Sequence, residues 1–250
     1  MTECRTALIT GGTSGLGRAM AAALGDAGLT VAITGRSARR AAEAAEQING
    51  AFGIEMDVRD ESSVAAGIAA AWSRMGGIDM LVNNAGIGMR TVNPRFLSEP
   101  RGFWTVPAGG FRDVVATNLT GYFQVAREVT PRMLAAGHGR IVNISMNHAT
   151  MKRAGFVPYG PSRAGAEALS RIMAADLRGT GVTVNMLLPG GATRSGMVPD
   201  EYAETHRGLL APEVMGAPIV WLASAEAART HDERIVATDF SHWLRARQPV

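Results

Sequence analysis

The sequence predicts an α/β protein, a doubly wound parallel sheet of about seven strands with helices on both faces. Three observations carry that prediction. Short apolar runs and helical stretches alternate from one end of the chain to the other. The short runs are rich in Val, Ile and Leu with little alternation, as strands covered on both faces require. A glycine run, Thr10-Gly11-Gly12-Thr13-Ser14-Gly15-Leu16-Gly17, lies directly behind the first such run, Ala7-Leu8-Ile9, and ahead of the first helical stretch.

Strands are predicted over 6–10, 30–34, 53–58, 78–83, 140–145, 182–188 and a short 234–237. Helices are predicted over 18–27, 39–47, 61–74, 112–136, 160–178 and 212–223. Right-handed crossovers between such strands place a ligand at their carboxyl ends. Two long loops interrupt the alternation. The first, 88–110, holds Pro94, Pro100 and Pro107 beside Phe96, Phe103 and Trp104; the second, 191–211, holds Met197, Pro199, Tyr202 and His206. Loops of that length act as lids or binding segments or pack onto the body.

A length of 250 residues suits one domain over 1–250, and no repeat or linker divides it. Apolar residues make up 46% of the chain, with no run near the roughly 18 needed to cross a bilayer, so no membrane role is predicted. Met1 to Arg5 lack the apolar core of a signal peptide, and a single cysteine, Cys4, fits a reducing compartment. A cytoplasmic protein is expected, with Cys4 a mobile terminal thiol. The net charge of +3 and the scattered arginines argue against a nucleic-acid partner, and no metal site is predicted. Lys152 is the one lysine among 25 basic residues.

The glycine run has a physical reading. Backbone N–H groups at a helix N-terminus face a pyrophosphate, and only residues without a Cβ let the phosphates come close. After the second strand comes Thr34-Gly35-Arg36-Ser37, where an acidic residue would bind a ribose 2′-hydroxyl. Gly35 stands there instead, and the Arg36 guanidinium suits a 2′-phosphate, so NADP(H) is expected in preference to NAD(H).

From about Arg5 to Ala223 the chain resembles the short-chain dehydrogenase/reductase family, whose fold is of the Rossmann type. The resemblance rests on several motifs in order. They are the glycine run, Asp57 after the third strand, Asn83-Asn84-Ala85-Gly86 after the fourth, Asn118, Ile141-Val142-Asn143-Ile144-Ser145, Tyr159, and Pro189-Gly190 with Thr193. It implies that Gly11, Thr13, Ser14, Gly15, Leu16 and Gly17 cradle the phosphates. It also implies that Asp57 and Val58 contact the adenine, that Asn84, Ala85 and Gly86 line the cofactor, and that Pro189, Gly190 and Thr193 meet the nicotinamide end. The implied activity is hydride transfer between nicotinamide and a carbonyl, with Tyr159 as acid–base group and Asn118 supporting a water chain. A homo-oligomer, dimer or tetramer, built through the helices at 112–136 and 160–178 is implied as well.

The active site departs from the family pattern. Arg163 stands where a lysine is usual, four residues after Tyr159, and Met146 stands where a serine is usual, 13 residues before it. Arg163 keeps a positive charge near Tyr159 and can bond a ribose, but a guanidinium releases no proton near neutral pH. Met146 donates no hydrogen bond. His148, on the same face by strand alternation, is the expected stand-in donor, with Asn147 beside it. The ending Arg234-Ile235-Val236-Ala237-Thr238-Asp239-Phe240, with Trp243 and Leu244, is expected to pack on the body or on a second subunit. The leading expectation is an NADP(H)-dependent oxidoreductase acting on a small or medium apolar carbonyl or alcohol. The alternatives are a non-redox enzyme that keeps its cofactor (a lyase, epimerase or cyclase, or an epoxide chemistry) and a catalytically silent NADP(H)-binding protein.

Overall fold

The structure, a computed structural model, describes residues 3–199, 202 and 207–247. Seven parallel strands form one sheet in the order β3-β2-β1-β4-β5-β6-β7. They are β1 (Thr6–Ile9), β2 (Thr30–Gly35), β3 (Ala51–Glu55), β4 (Met80–Asn83), β5 (Gly139–Ile144), β6 (Val182–Leu188) and β7 (Arg234–Val236). The order reverses beside β1, between β1 and β4, and the crevice at that switch point is where such sheets bind ligands.

Alternate residues of the strands enter two different cores. Ala7 and Ile9 of β1 join Met20, Ala21 and Leu24 of α1 (Gly15–Asp26) and Ile219 and Leu222 of α8 (Gly216–Ala223). Leu8 faces the other way, toward Ile68 of α3 (Glu61–Met75) and Val125, Val129 and Met133 of α5 (Gly121–Ala136). Leu8 and Leu81 are fully buried, each contributing about 1.5–3 kcal/mol. The start and stop of α3 follow local rules. Asp60 caps it by accepting from the Ser63 N–H at 2.8 Å, and Gly76 ends it at φ 73°.

Several predicted boundaries shift, each for a tertiary reason. The third strand is Ala51–Glu55 rather than 53–58, because β2 pairs with it only from Val31↔Ala51 to Gly35↔Glu55. Residues 56–58 thereby leave the sheet for the pocket wall. The helix predicted over 112–136 is three pieces: α4 (Ala108–Val115), a π-turn at Ala116–Thr120, and α5. Asn118 sits in the π-turn, its side chain turned inward onto the backbone of Ile87.

The described residues also form α2 (Ala38–Ala45), α6 (His148–Met151) and α7 (Tyr159–Asp176). A last helix, α9 (Phe240–Arg245), folds the tail onto the body, with Trp243 edge-on to Trp221 at 5.3 Å. Cys4 is not a mobile thiol: it is buried, donates its backbone N–H to Ala223 O, and burial pushes its pKa up to about 11. Among the described residues no helix is long and apolar enough to cross a membrane.

Candidate active site

A cavity of about 860 Å³ opens along the carboxyl ends of the strands. One wall is the glycine run. Gly11 and Gly15 take φ of 65° and 55°, the left-handed region that other residues avoid. Gly17 does not line the cavity. A Cβ there would sit 2.4 Å from Asn84 Nδ2 and 2.5 Å from Gly11 O, so its part is to let α1 close onto the loop after β4. That loop is stitched to the first: Asn84 Nδ2 donates to Thr10 O and Gly11 O, and Thr10 Oγ1 accepts from the Asn84 and Ala85 N–H groups.

Thr13, Ser14 and Leu16 complete this wall. Ser14 precedes α1 without capping it, and the first turn of α1 carries no acid. The N–H groups of that turn therefore present a positive end to the cavity. Next to it lie Gly35, exposed Arg36, Arg40 and Arg59. A Cβ on Gly35 would meet Thr13 Cγ2 at 2.8 Å. Asp57 pairs with Arg59 through Oδ2 and Nη2 at 2.7 Å, and those hydrogen bonds hold its carboxyl below the usual aspartate range. Val58 lies beside it, and Asn84, Ala85, Gly86, Pro189, Gly190 and Thr193 line the stretch leading to Tyr159. An uncapped helix N-terminus and glycine-lined walls beside a cluster of guanidiniums fit a dinucleotide.

The other end is built of side chains. Tyr159, the first residue of α7, is half-buried, and its hydroxyl lies 3.9 Å from Met197 Sδ. It packs on a small core of Met89, Phe96 and Phe156, with Phe96 edge-on to Phe156 at 5.5 Å. Met146, Asn147 and Thr150 form the facing wall. Of the aromatic residues predicted for the loop at 88–110, Phe96 lines the cavity, whereas Phe103 and Trp104 stand exposed to solvent. Met197 and Tyr202 of the second loop line it too, and His206 lies outside the described residues.

Arg163, one helical turn after Tyr159, is buried in the wall of this end. Its Nη1 donates to Tyr122 Oη at 2.6 Å and to Ile144 O at 3.1 Å, and its Nε is buried without a partner. Its Cζ lies 5.3 Å from the Tyr159 ring centre and 5.5 Å from that of Tyr122. Burial opposes its charge, but the two phenols outweigh that and its pKa is raised; burial raises that of Tyr122. Gly86 is required here, since a Cβ would lie 2.5 Å from Arg163 Nη2 and 3.1 Å from Asn118 Oδ1.

Two expected residues are not brought to the cavity. His148 points outward: its Nε2 lies 2.8 Å from Glu167 Oε1, and its side chain is 61% exposed. Glu167, one turn beyond Arg163, also takes Ser145 Oγ at 2.6 Å and Arg234 Nε at 2.8 Å, and this cluster draws the imidazole away. Asn118 is fully buried behind the wall. Its Oδ1 accepts from the Ile87 N–H, and its Nδ2 donates to Ile87 O and Ser162 Oγ. Tyr122 carries no local signal of a site role, because nothing nearby in sequence marks a helix-buried tyrosine as the partner of an arginine 41 positions on.

Fold and cavity together define a dinucleotide-dependent oxidoreductase of the doubly wound kind. Residues 5–205 match the short chain dehydrogenase family, and the chain belongs to that family of NAD(P)-dependent oxidoreductases. It is 37% identical over 191 residues to a 3-oxoacyl-(acyl-carrier-protein) reductase, FabG, of Aquifex aeolicus, covering 74% of this chain and 73% of that one. It is 33% identical over 232 residues to an acetoacetyl-CoA reductase of Rhizobium meliloti, covering 89% and 92%. Its fold is similar, with a TM-score of 0.81, to the crystal structure of a 3-ketoacyl-(acyl-carrier-protein) reductase from Brucella melitensis complexed with NADH, at 25% identity over 94% and 96% of the two chains.

Proposed function

We propose that the chain is a reductase that uses NADP(H) in preference to NAD(H) on a small or medium apolar carbonyl, with Tyr159 as acid–base group. The observation that carries this reading is one continuous cavity with a backbone-lined, arginine-rich end and an apolar end holding a tyrosine hydroxyl. The relatives described above are named reductases, which supports the direction.

A reduced nicotinamide, when bound, supplies the hydride that carbonyl reduction needs. The first turn of α1, with Gly11, Thr13, Ser14, Gly15 and Leu16, would hold the pyrophosphate. Arg36, with Arg40 and Arg59 beside it, would hold the 2′-phosphate, and Asp57 and Val58 the adenine. Asn84, Ala85 and Gly86 would line the path to Pro189, Gly190 and Thr193 at the nicotinamide end. Tyr159 gives its phenolic proton to the carbonyl oxygen. Arg163, held by Tyr122, keeps a fixed positive charge beneath that phenol and favours its anionic form after the transfer. Asn118 acts indirectly, by fixing Ile87 and Ser162, whose Oγ donates to Tyr159 O at 2.8 Å.

The chain is further proposed to act as one domain and to self-associate through exposed Phe123 and Ile172 on α5 and α7. The test of the main reading is a fluorescence titration with NADPH and NADH, then a carbonyl panel with Tyr159→Phe alongside. Tight NADPH binding is expected, with turnover that falls about 10³-fold in Tyr159→Phe while binding stays within twofold. Binding without any turnover would favour the non-redox or the catalytically silent alternative, and absent binding would sink the assignment.

A further inference from the structure

The polar side chains that flank Met146 in sequence are engaged with protein partners. Ser145 Oγ donates to Glu167 Oε2, and His148 sits on the same carboxylate outside the wall. Asn147 Nδ2 donates to Gly190 O at 2.9 Å. Arg163, in the cavity wall, is held from behind by Tyr122, and Asn118 is taken up by Ile87 and Ser162. The apolar end holds the Tyr159 hydroxyl, with the thioether of Met197 at 3.9 Å, among walls that include Met89, Met146, Thr150 and Phe156.

Carbonyl reduction builds negative charge on oxygen. A second preorganised donor at that oxygen is worth about 10²–10³ in rate, and a thioether does not supply it. A carbonyl made more electrophilic by an electron-withdrawing neighbour within the substrate needs that donor least. We infer that this site takes carbonyls activated inside the substrate by a second, adjacent carbonyl: aryl vicinal diketones and aryl α-ketoesters. The flat, polarisable portion of such molecules suits the sulfur and aromatic walls. This inference rests on the reductase reading above. In the step, the carbonyl carbon gains a hydride from the dihydronicotinamide dinucleotide, which is thereby oxidised. The carbonyl oxygen takes the proton of Tyr159, the phenolate regains one from water, and a 1,2-diketone leaves as a 2-hydroxyketone.

The test compares 1-phenyl-1,2-propanedione with acetophenone, each with NADPH, in the natural protein and in Met146→Ser. The diketone is expected to turn over with a kcat/KM at least about 10²-fold above that of acetophenone. Met146→Ser is expected to raise the acetophenone value by about 10²-fold and the diketone value by less than about tenfold. Equal turnover of both ketones by the natural protein, or a Met146→Ser effect that is the same on both, overturns the inference. A second readout needs neither turnover nor the variant. The infrared carbonyl band of ¹³C-acetophenone bound to the natural protein with NADP⁺ should show the shift of one donor. A two-donor shift, from Asn147 or Thr150, overturns the inference. If NADPH does not bind at all, the reductase reading fails and carries this inference with it; NADPH binding with indifferent ketone selectivity defeats the inference alone.

Discussion

At the end of the cavity formed by β1, β2 and α1, the wall is backbone. Positive-φ glycines at 11 and 15, an uncapped helix start and two interlocked loops set its shape. At the Tyr159 end the wall is side chain, and its groups are held by residues distant in sequence: Arg163 by Tyr122, and Tyr159 by Met89 and Phe96. A wall made of backbone tolerates few residue types and does one task, the binding of a phosphate chain. A wall made of side chains is free to change its chemistry without moving the fold. The two departures from the family pattern, Met146 and Arg163, both fall in the second wall.

The sharpest way to break this contrast is Gly17→Ala. A methyl at 2.4 Å from Asn84 Nδ2 and 2.5 Å from Gly11 O cannot be housed by a rotamer change, because its second neighbour is backbone. Helix α1 must shift, at about 1–3 kcal/mol of stability. NADPH affinity is expected to fall at least about tenfold with it, since the binding surface is the same backbone. A variant with lower melting temperature but unaltered NADPH affinity would show that the two loops are not one unit.

Tyr122→Phe probes the other wall. It leaves Arg163 Nη1 with Ile144 O alone, in a guanidinium whose Nε already lacks a partner. The expected loss is about 1–3 kcal/mol in urea unfolding, with NADPH affinity within twofold of the natural protein. A large fall in affinity would mean that Arg163 serves the cofactor end after all.

The same contrast explains what the sequence made legible. The glycine run could be read because backbone strain leaves its mark on residue identity: a position at φ 65° that also meets Ala85 Cα at 2.8 Å admits little besides glycine. Strands of the parallel sheet were legible from their unbroken apolar runs. The π-turn at Asn118 was not, because what stabilises it is the Ile87 backbone, 31 residues earlier. Strand parity put His148 on the cavity face, yet the residue opens a helix past the strand end. There Glu167, itself held by Arg234 from β7, decides where the ring goes. The Tyr122–Arg163 pair has no local signature at all. Side-chain walls are written in pairs of distant residues, and a single sequence does not mark the pairs.

A smaller effect is expected of Arg36→Ala. The side chain is exposed at the cavity rim, and its charge helps to hold Asp57 ionised. Loss of one charge-assisted phosphate contact should weaken NADPH binding about tenfold and leave NADH binding unchanged, as read by fluorescence titration. An equal effect on both dinucleotides would remove Arg36 from the 2′-phosphate site, and the arginine-rich rim would then owe its charge to composition.

The smallest effect is confined to acid. Burial pushes the Glu167 carboxyl up, but hydrogen bonds from Ser145 and His148 and the charge of Arg234 outweigh it and hold the group below the usual glutamate value of 4.5. A carboxyl depressed in the folded state adds stability that is fully present above about pH 4.5 and is lost as the pH falls through the folded value. Glu167→Gln should therefore be less stable than the natural protein at neutral pH, with the gap closing below about pH 4.5. Because the carboxylate holds His148 outside the cavity, its neutralisation also weakens the bond that keeps the imidazole turned away from Met146. Chemical denaturation across pH 3 to 7 reads the first consequence, and acetophenone turnover at neutral pH reads the second. A constant stability gap across that range would show that packing, not ionisation, is what Glu167 contributes to the side-chain wall.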